Sequence, residues 1–171
     1  MVLIFAIMGC MSAKAPPVST TPTAVSTVIT LASPEDDAHL STPDAVVSAL
    51  QDGFSNNGLS LERVAAGASF TEIGTRAHRA DWLLKQSGGA LSVMIETEAR
   101  PRSQLGGRFQ WEVTATITVA NGESAPLVEV VRLPITLPHV HQGEEDALTA
   151  IGTRLADKAA TLINRYQRSG S

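Results

Sequence analysis

The chain has 171 residues, of which 43% are hydrophobic and 18% charged, and its formal net charge is −4. This length and apolar content suit one globular domain with a tail and exclude a wholly disordered chain. The acidic balance argues against a nucleic-acid-binding protein, and the single cysteine excludes internal disulfides and multi-cysteine zinc sites.

The amino-terminal residues resemble a bacterial lipoprotein signal. Residues 2–8 form an unbroken apolar run that would span about 10 Å as a helix, too short to cross a membrane but suited to the apolar region of a secretory signal. The tetrad Ile7-Met8-Gly9-Cys10 resembles the lipobox, although Met8 is larger than the usual residue and no basic residue precedes the run. The resemblance implies that Cys10 receives a diacylglyceryl group and, after cleavage, a further acyl chain.

The residues after Cys10 have the composition of a tether. Residues 11–23 are rich in Ser, Thr and Pro, which favour an extended chain over a packed core. We therefore expect a lipoprotein signal peptide over 1–9, a tether over 10–23 and one domain over 24–171. The alternative is that residues 1–8 pack as a strand and that Cys10 is a small buried hydrophobe. An exposed apolar run at a free end would promote aggregation, which favours the signal.

The first half of the domain alternates strand and helix signals. β-Branched residues predict a strand over 24–31. The STPD sequence at 41–44 then predicts a helix start, with hydroxyl caps, proline at the first helical position and an acid beside the positive end of the dipole. Helical spacing continues to residue 54, and a short strand is predicted near 59–64. A second helix is predicted over 71–86.

The second half predicts a three-stranded antiparallel sheet. Apolar and polar residues alternate through 91–100 and again through 109–120, which indicates one buried and one solvated face. Asn121-Gly122 is a turn signal, and 127–133 returns as the third strand, which Pro134 is expected to end. Residues 101–108 are expected to form a short polar connection.

A final helix beginning at Glu144 is expected to cover the apolar face of this sheet. Acidic residues fill its first turn, and one stripe of its surface is apolar. The stripe consists of Leu148, Ile151, Leu155, Ala159, Leu162 and Tyr166. The predicted fold class is therefore α+β: a two-layer sandwich with a mainly antiparallel sheet covered by helices, in the order β-α-β-α-β-β-β-α.

With the secretion signal, this element order resembles a group of bacterial envelope domains. The group includes the amino-terminal domain of TolB, the related domain of curli-export and exopolysaccharide-export lipoproteins, and lipoprotein activators of peptidoglycan synthases. The resemblance covers about residues 24–167, and the group's glycine-rich helix-to-strand passage is matched loosely by SGGAL at 87–91. It implies Cys10 as the lipidation site. The lipopolysaccharide-assembly lipoprotein is also similar, with a comparable plan of sheet and helices.

Two features are candidate partner-binding sites. Arg100, Arg102 and Arg108 flank the first turn of the predicted meander and could meet an anionic glycan, phospholipid head groups or an acidic protein. Charged residues at a strand edge also serve simply to discourage aggregation. Trp82 lies on the less regular second helix and is a candidate anchor for a partner, whereas Trp111 shares the apolar register of its strand and is assigned to the core.

Signals for metal binding and catalysis are weak. His139 and His141 are the nearest approach to a metal pair, but no cysteine or third histidine lies close in sequence, and the following acids suffice as helix amino-terminal charges. No Gly-x-Ser-x-Gly elbow and no phosphate-binding glycine loop is present. We expect no enzyme activity, no metal and no cofactor.

The sequence thus predicts a lipoprotein of the bacterial cell envelope, held at the outer membrane and facing the periplasm. Its expected partners are the membrane, through the lipid anchor, and other envelope proteins in an assembly or export complex, with homo-oligomerisation left open and nucleic acid excluded. The alternatives are a small-ligand or glycan carrier lipoprotein, and a soluble interaction domain without lipid.

Overall fold

Five strands and three helices make up the described part of the chain, which in this computed structural model covers residues 22–32, 42–67, 70, 72–105, 108–137 and 143–169. The elements are β1 (Thr23–Ala32), α1 (Asp44–Asn56), β2 (Leu59–Arg63), α2 (Arg76–Gln86), β3 (Ser92–Leu105), β4 (Arg108–Ala120), β5 (Leu127–Thr136) and α3 (Glu144–Ser169). The predicted α+β fold class and its element order are confirmed.

The strands form one sheet in the order β2-β1-β3-β4-β5. The last three strands pair antiparallel, as their alternation predicted, and Gly122 with a φ of 74° lies in the turn between β4 and β5. β1 pairs parallel with β2 on one side and with β3 on the other. A helix precedes both β2 and β3, and such crossovers bring the chain back to start the next strand at the same end of the sheet.

One face of the sheet carries the main core, and α1 and α3 cover it. Val93, Ile95 and Ala99 of β3 face these helices and are buried, as predicted. The same face of β4 contributes four further residues, Val113, Ala115, Ile117 and Val119. The predicted stripe of α3 is likewise buried, apart from the partly buried Leu148. Trp111 packs against this core, as its register predicted.

Small residues let α1 and α3 approach each other closely. A Cβ atom added at Gly152 of α3 would lie 2.6 Å from the carbonyl oxygen of Val46 and 2.7 Å from the Cβ of Ala49. A Cβ added at Gly53 of α1 would overlap the Cβ of Ala156. The two helices therefore pack at a distance that only glycine permits at these positions.

α2 lies on the opposite face of the sheet and forms a partial third layer that the sequence did not predict. Val28 and Met94 project to this face, since they alternate with residues of the main core. They are buried together with Ala80 and Leu83 of α2 and with Phe70. This second cluster is smaller than the main core.

α2 also begins later than predicted, at Arg76 rather than at residue 71. The hydroxyl of Thr75 accepts a hydrogen bond from the backbone N–H of His78 at 3.3 Å and caps the helix there. At α1, by contrast, the prediction that the Thr42 hydroxyl caps the helix is wrong. That hydroxyl donates to the carbonyl oxygen of Ile29 at 2.9 Å and so ties the helix start to β1.

Two prolines lie inside strands where the sequence predicted that pairing would stop. β3 continues through Pro101 with a register irregularity between Pro101 and Ser103, and only residues 106–107 separate it from β4. β5 continues through Pro134, which lies opposite Glu112. β5 is an edge strand of the described sheet, and there a proline whose nitrogen faces outward removes no ladder hydrogen bond.

Candidate functional site

The two ends of the sheet carry different candidate sites. Ser26 is paired with Ser92, and Ser92 with Ala120, so β1 and β3 start where β4 ends. The chain enters the domain at this end, through Thr23, and we call it the entry end. The opposite end carries the connection between β3 and β4, and we call it the hairpin end.

A cleft of about 540 Å³ lies at the entry end and is open to solvent. Its walls come from the start of β1, the α2–β3 turn, the β4–β5 turn and the last turns of α3. The lining residues are Thr23, Gly89, Ala90, Leu91, Asn121, Glu123, Ser124, Tyr166 and Gln167. This cleft was not predicted, because it assembles residues from four separate parts of the chain.

A hydrogen-bond network centred on Tyr166 connects the parts of the chain that form one wall of this cleft. The side-chain oxygen of Asn121 accepts from the backbone N–H groups of Glu123 and Ser124, at 3.0 and 3.3 Å. The buried Tyr166 hydroxyl lies 2.8 Å from the same oxygen and 2.7 Å from the Ser124 hydroxyl. Because the Asn121 oxygen is only an acceptor, the tyrosine donates to it and accepts from Ser124. The end of α3 is thereby fixed to the β4–β5 turn.

Tyr166→Phe is expected to lower the free energy of unfolding by about 1 kcal/mol, because it removes this hydroxyl and retains the buried ring. Chemical denaturation measures the change. The control is Thr161→Val on the same helix, since the Thr161 hydroxyl donates to the Asp157 carbonyl on an exposed surface. The control should cost less than about 0.5 kcal/mol. Equal losses in the two variants would contradict a structural role for the Tyr166 network.

The hairpin end carries the three arginines predicted as an anionic-partner patch. Arg100 lies in β3 and forms an ion pair with Glu98, its Nε donating to that carboxylate at 2.8 Å. Arg102 belongs to β3 at the register irregularity, and Arg108 is the first residue of β4. The side chains of residues 101–109 lie outside what the structure describes. The patch therefore remains a prediction.

A cleft of about 260 Å³ adjoins Arg100 on the face of the sheet opposite the main core, which we call the outer face. It is lined by Glu98, Arg100, Glu112, Thr114 and Arg132. Arg132 was missed by sequence reasoning, and it arrives there because β5 pairs Arg132 with Thr114. The strand alternation placed Arg132 on the polar face, but only the register of β4 with β5 could show its neighbours. The described part of this surface combines two guanidinium groups with two carboxylates.

Trp82 is half-buried and packs against the second cluster. Its ring meets the ring of Phe70 edge to face, with 5.2 Å between centroids. The guanidinium carbon of Arg79 lies 5.9 Å from the centroid of the same phenylalanine ring. Trp82 thus helps to hold α2 on the sheet while part of its surface stays accessible, and its role as a partner anchor remains a prediction.

The remaining candidate residues, Cys10, His139 and His141, lie outside the described residues. Within the described ranges, no group of three or more His, Cys, Asp or Glu side chains could hold a metal ion. No helix in this same part of the chain is long and apolar enough to cross a membrane.

Comparison with known proteins finds distant structural similarity only. No protein-family model and no curated protein matches the chain. The PelC dodecamer of Paraburkholderia phytofirmans is 13% identical with a TM-score of 0.46, covering 86% of this chain and 92% of that one. Lipoprotein GNA1162 of Neisseria meningitidis is 14% identical with a TM-score of 0.44, and the match covers 82% of this chain and 99% of that one. A minor lipoprotein of Acinetobacter baumannii is 12% identical with a TM-score of 0.39, and the match covers 85% of this chain and 92% of that one. Similarity this distant carries no argument about function.

Proposed function

We propose that the protein is a lipid-anchored lipoprotein of the bacterial cell envelope whose domain binds other proteins of an assembly or export complex. The observation that carries the proposal is the tetrad IMGC at residues 7–10, in which the only cysteine follows Gly9 at the end of a short apolar run. Each buried methylene of an acyl chain contributes about 0.8 kcal/mol, so the two or three chains of a lipoprotein anchor it stably.

The number of residues between Cys10 and β1 limits how far an anchored domain can lie from the membrane. Residues 11–22 separate Cys10 from β1 and can span at most about 40 Å when fully extended. An anchored domain therefore stays close to the bilayer, with its entry end on the tethered side. Because the tether is attached at the entry end, it leaves the hairpin end and the surface around Arg100 accessible to a soluble or peripheral partner.

Cys10→Ser is expected to move the protein from the membrane fraction to the soluble fraction, because serine cannot form the thioether to the diacylglyceryl group. The measurement is carbonate-washed membrane fractionation of cells that produce the full chain, together with intact mass spectrometry of the purified protein. The wild type should carry the mass of the acyl groups and lack residues 1–9.

Ser12→Ala, two residues beyond the acylated position, is the matched control and should leave both the fractionation and the acylated mass unchanged. A wild-type protein that is soluble, retains Met1 and has an unmodified thiol would overturn the proposal. The role of Cys10 is thus tested separately from the identity of any protein partner.

The geometry favours protein binding over the carriage of a small apolar ligand. A carrier encloses its ligand in a deep and mostly apolar pocket. The main core of the described residues is filled by side chains from both layers, and the entry-end cleft is open and lined by polar groups of Asn121, Ser124 and Tyr166. Such a cleft suits a surface contact.

A further inference from the structure

In the described sheet, the outer edge of β5 lacks a neighbouring strand and carries exposed apolar side chains. β5 is the last strand of the described sheet. Val128 and Val130 project from the face opposite the main core and are 45% and 60% exposed. Among the side chains described, Val128 and Val130 are the exposed large hydrophobic residues. An edge strand with these features favours pairing with another strand.

The position of Pro134 indicates which residues of β5 offer hydrogen bonds at this edge. Along an antiparallel strand, successive residues direct their backbone N–H and C=O groups alternately to one neighbour and to the other. Pro134 has no N–H, so it fits between its neighbours in β5 only if its nitrogen lies on the side away from β4. By the same alternation Val128, Val130 and Arg132 direct their N–H and C=O groups outward.

These outward residues are symmetric about Val130. Pro126 precedes Val130 by four residues and Pro134 follows it by four, so a proline bounds the available edge on each side. We propose that two copies of this chain pair through β5, antiparallel, with the two Val130 residues directly opposite each other on a two-fold axis. Val128 of each copy then lies opposite Arg132 of the other, and the two prolines face each other at both ends.

This register satisfies the available backbone groups. Three residues on each copy exchange both of their hydrogen bonds, which gives about six bonds across the edge. A two-fold axis perpendicular to the sheet keeps the valines of both copies on one face, where they cover one another. The result is a continuous ten-stranded sheet with α3 of both copies on the same side.

Proline or like charges disfavour the neighbouring two-fold registers. A centre at Val131 would place Val128 opposite Pro134, which has no N–H to donate. A centre at Glu129 would place the two Glu129 carboxylates opposite each other, and a centre at Arg132 would oppose two guanidinium groups. A centre at Val130 instead pairs Glu129 with Val131. Glu129 also keeps its ion pair with Arg165 of its own chain, at 2.5 Å. The contact is smaller than a standard protein interface, so the pairing is expected to be weak and concentration-dependent.

Cysteine crosslinking tests the register directly. We use the full-length chain with Cys10→Ser, so that an introduced cysteine is its only thiol. Cα atoms of a directly opposed, hydrogen-bonded pair are about 5.5 Å apart, which a disulfide can bridge. Val130→Cys should therefore form a covalent dimer rapidly under mild oxidation.

Val128→Cys is the matched control, since Val128 is exposed on the same face of the same strand. In the proposed register the two cysteines at 128 are offset by four residues, about 13 Å along the strand, and should not crosslink. Val130→Glu, in the same background without an added thiol, should remain monomeric in sedimentation at concentrations where the parent chain dimerises.

The proposal would be overturned by equal crosslinking of both cysteine variants, by preferential crosslinking at 128, or by a parent chain that is monomeric at every concentration. Crosslinking of residue 130 in cells to a different protein, with no homodimer, would assign the edge to a strand of that partner and would also overturn it. The test does not depend on Cys10 and is independent of the proposed lipid anchor.

Discussion

Gly152→Leu is expected to abolish the native fold, and Gly152→Ala to lower the free energy of unfolding by about 2 kcal/mol. An added Cβ would lie 2.6 Å from a backbone oxygen of α1, and backbone cannot move aside as the end of a flexible side chain can. α1 and α3 must therefore separate, which loosens the contacts that both helices make with the main core. Alanine's better helix propensity offsets only about 1 kcal/mol of this cost.

The measurement is chemical denaturation followed by circular dichroism. Gly67→Ala makes the same chemical change at a position where a Cβ meets nothing within 4 Å, and it should alter the free energy of unfolding by less than about 0.5 kcal/mol. If Gly152→Ala were as stable as the wild type, the close approach of the two helices would be wrong.

Glu96→Gln is expected to lower the free energy of unfolding by about 2 kcal/mol and to loosen α2 on the outer face. The Glu96 carboxylate bonds Arg79 at 2.6 Å and Arg76 at 3.1 Å, while Arg79 also donates to the carbonyl oxygen of Ile73 at 2.8 Å. The side chains of Glu96 and Arg79 are only 18% and 20% exposed. Neutralising the carboxylate leaves a largely buried guanidinium without its counter-charge.

Hydrogen exchange measures the effect where it is expected, as faster exchange of the α2 amides with little change in α3. Glu129→Gln is the matched control, because Glu129 is also a strand glutamate paired with a helix arginine, but both side chains are more exposed. Glu129→Gln should lower the free energy of unfolding by less than about 1 kcal/mol. If the two variants behaved alike, the Glu96 ion pairs would not be what holds α2 on the sheet.

Local pattern was sufficient to predict much of the fold. The alternation in β3 and β4 identified their buried faces, since side chains on a strand project to opposite sides with a period of two. The apolar stripe of α3 followed from helical spacing in the same way. The candidate lipidation site at Cys10 also rests on neighbouring residues, so no tertiary contact is needed to find it.

Proline marks the limit of such local rules. Pro134 was expected to end its strand, since proline lacks the N–H that a ladder requires, and Pro101 was expected to begin a short connection. Whether that N–H is required depends on what lies beside the residue, and at Pro134 the outer side of β5 has no neighbouring strand in the described sheet. The sequence shows that a residue is proline, but it does not show whether the strand that contains it lies at the edge or in the middle of the sheet.

The sequence by itself determined the order and the approximate positions of the strands and helices, the apolar side of β3, β4 and α3, and the candidate site for a lipid. Only the tertiary structure decided that α2 lies on the second face, that Gly152 meets Val46, that Glu96 meets two arginines, and that β5 is left at an edge. The first set depends on residues within a few positions of one another. The second depends on pairs tens of residues apart, and only the packing of the whole sheet brings these together.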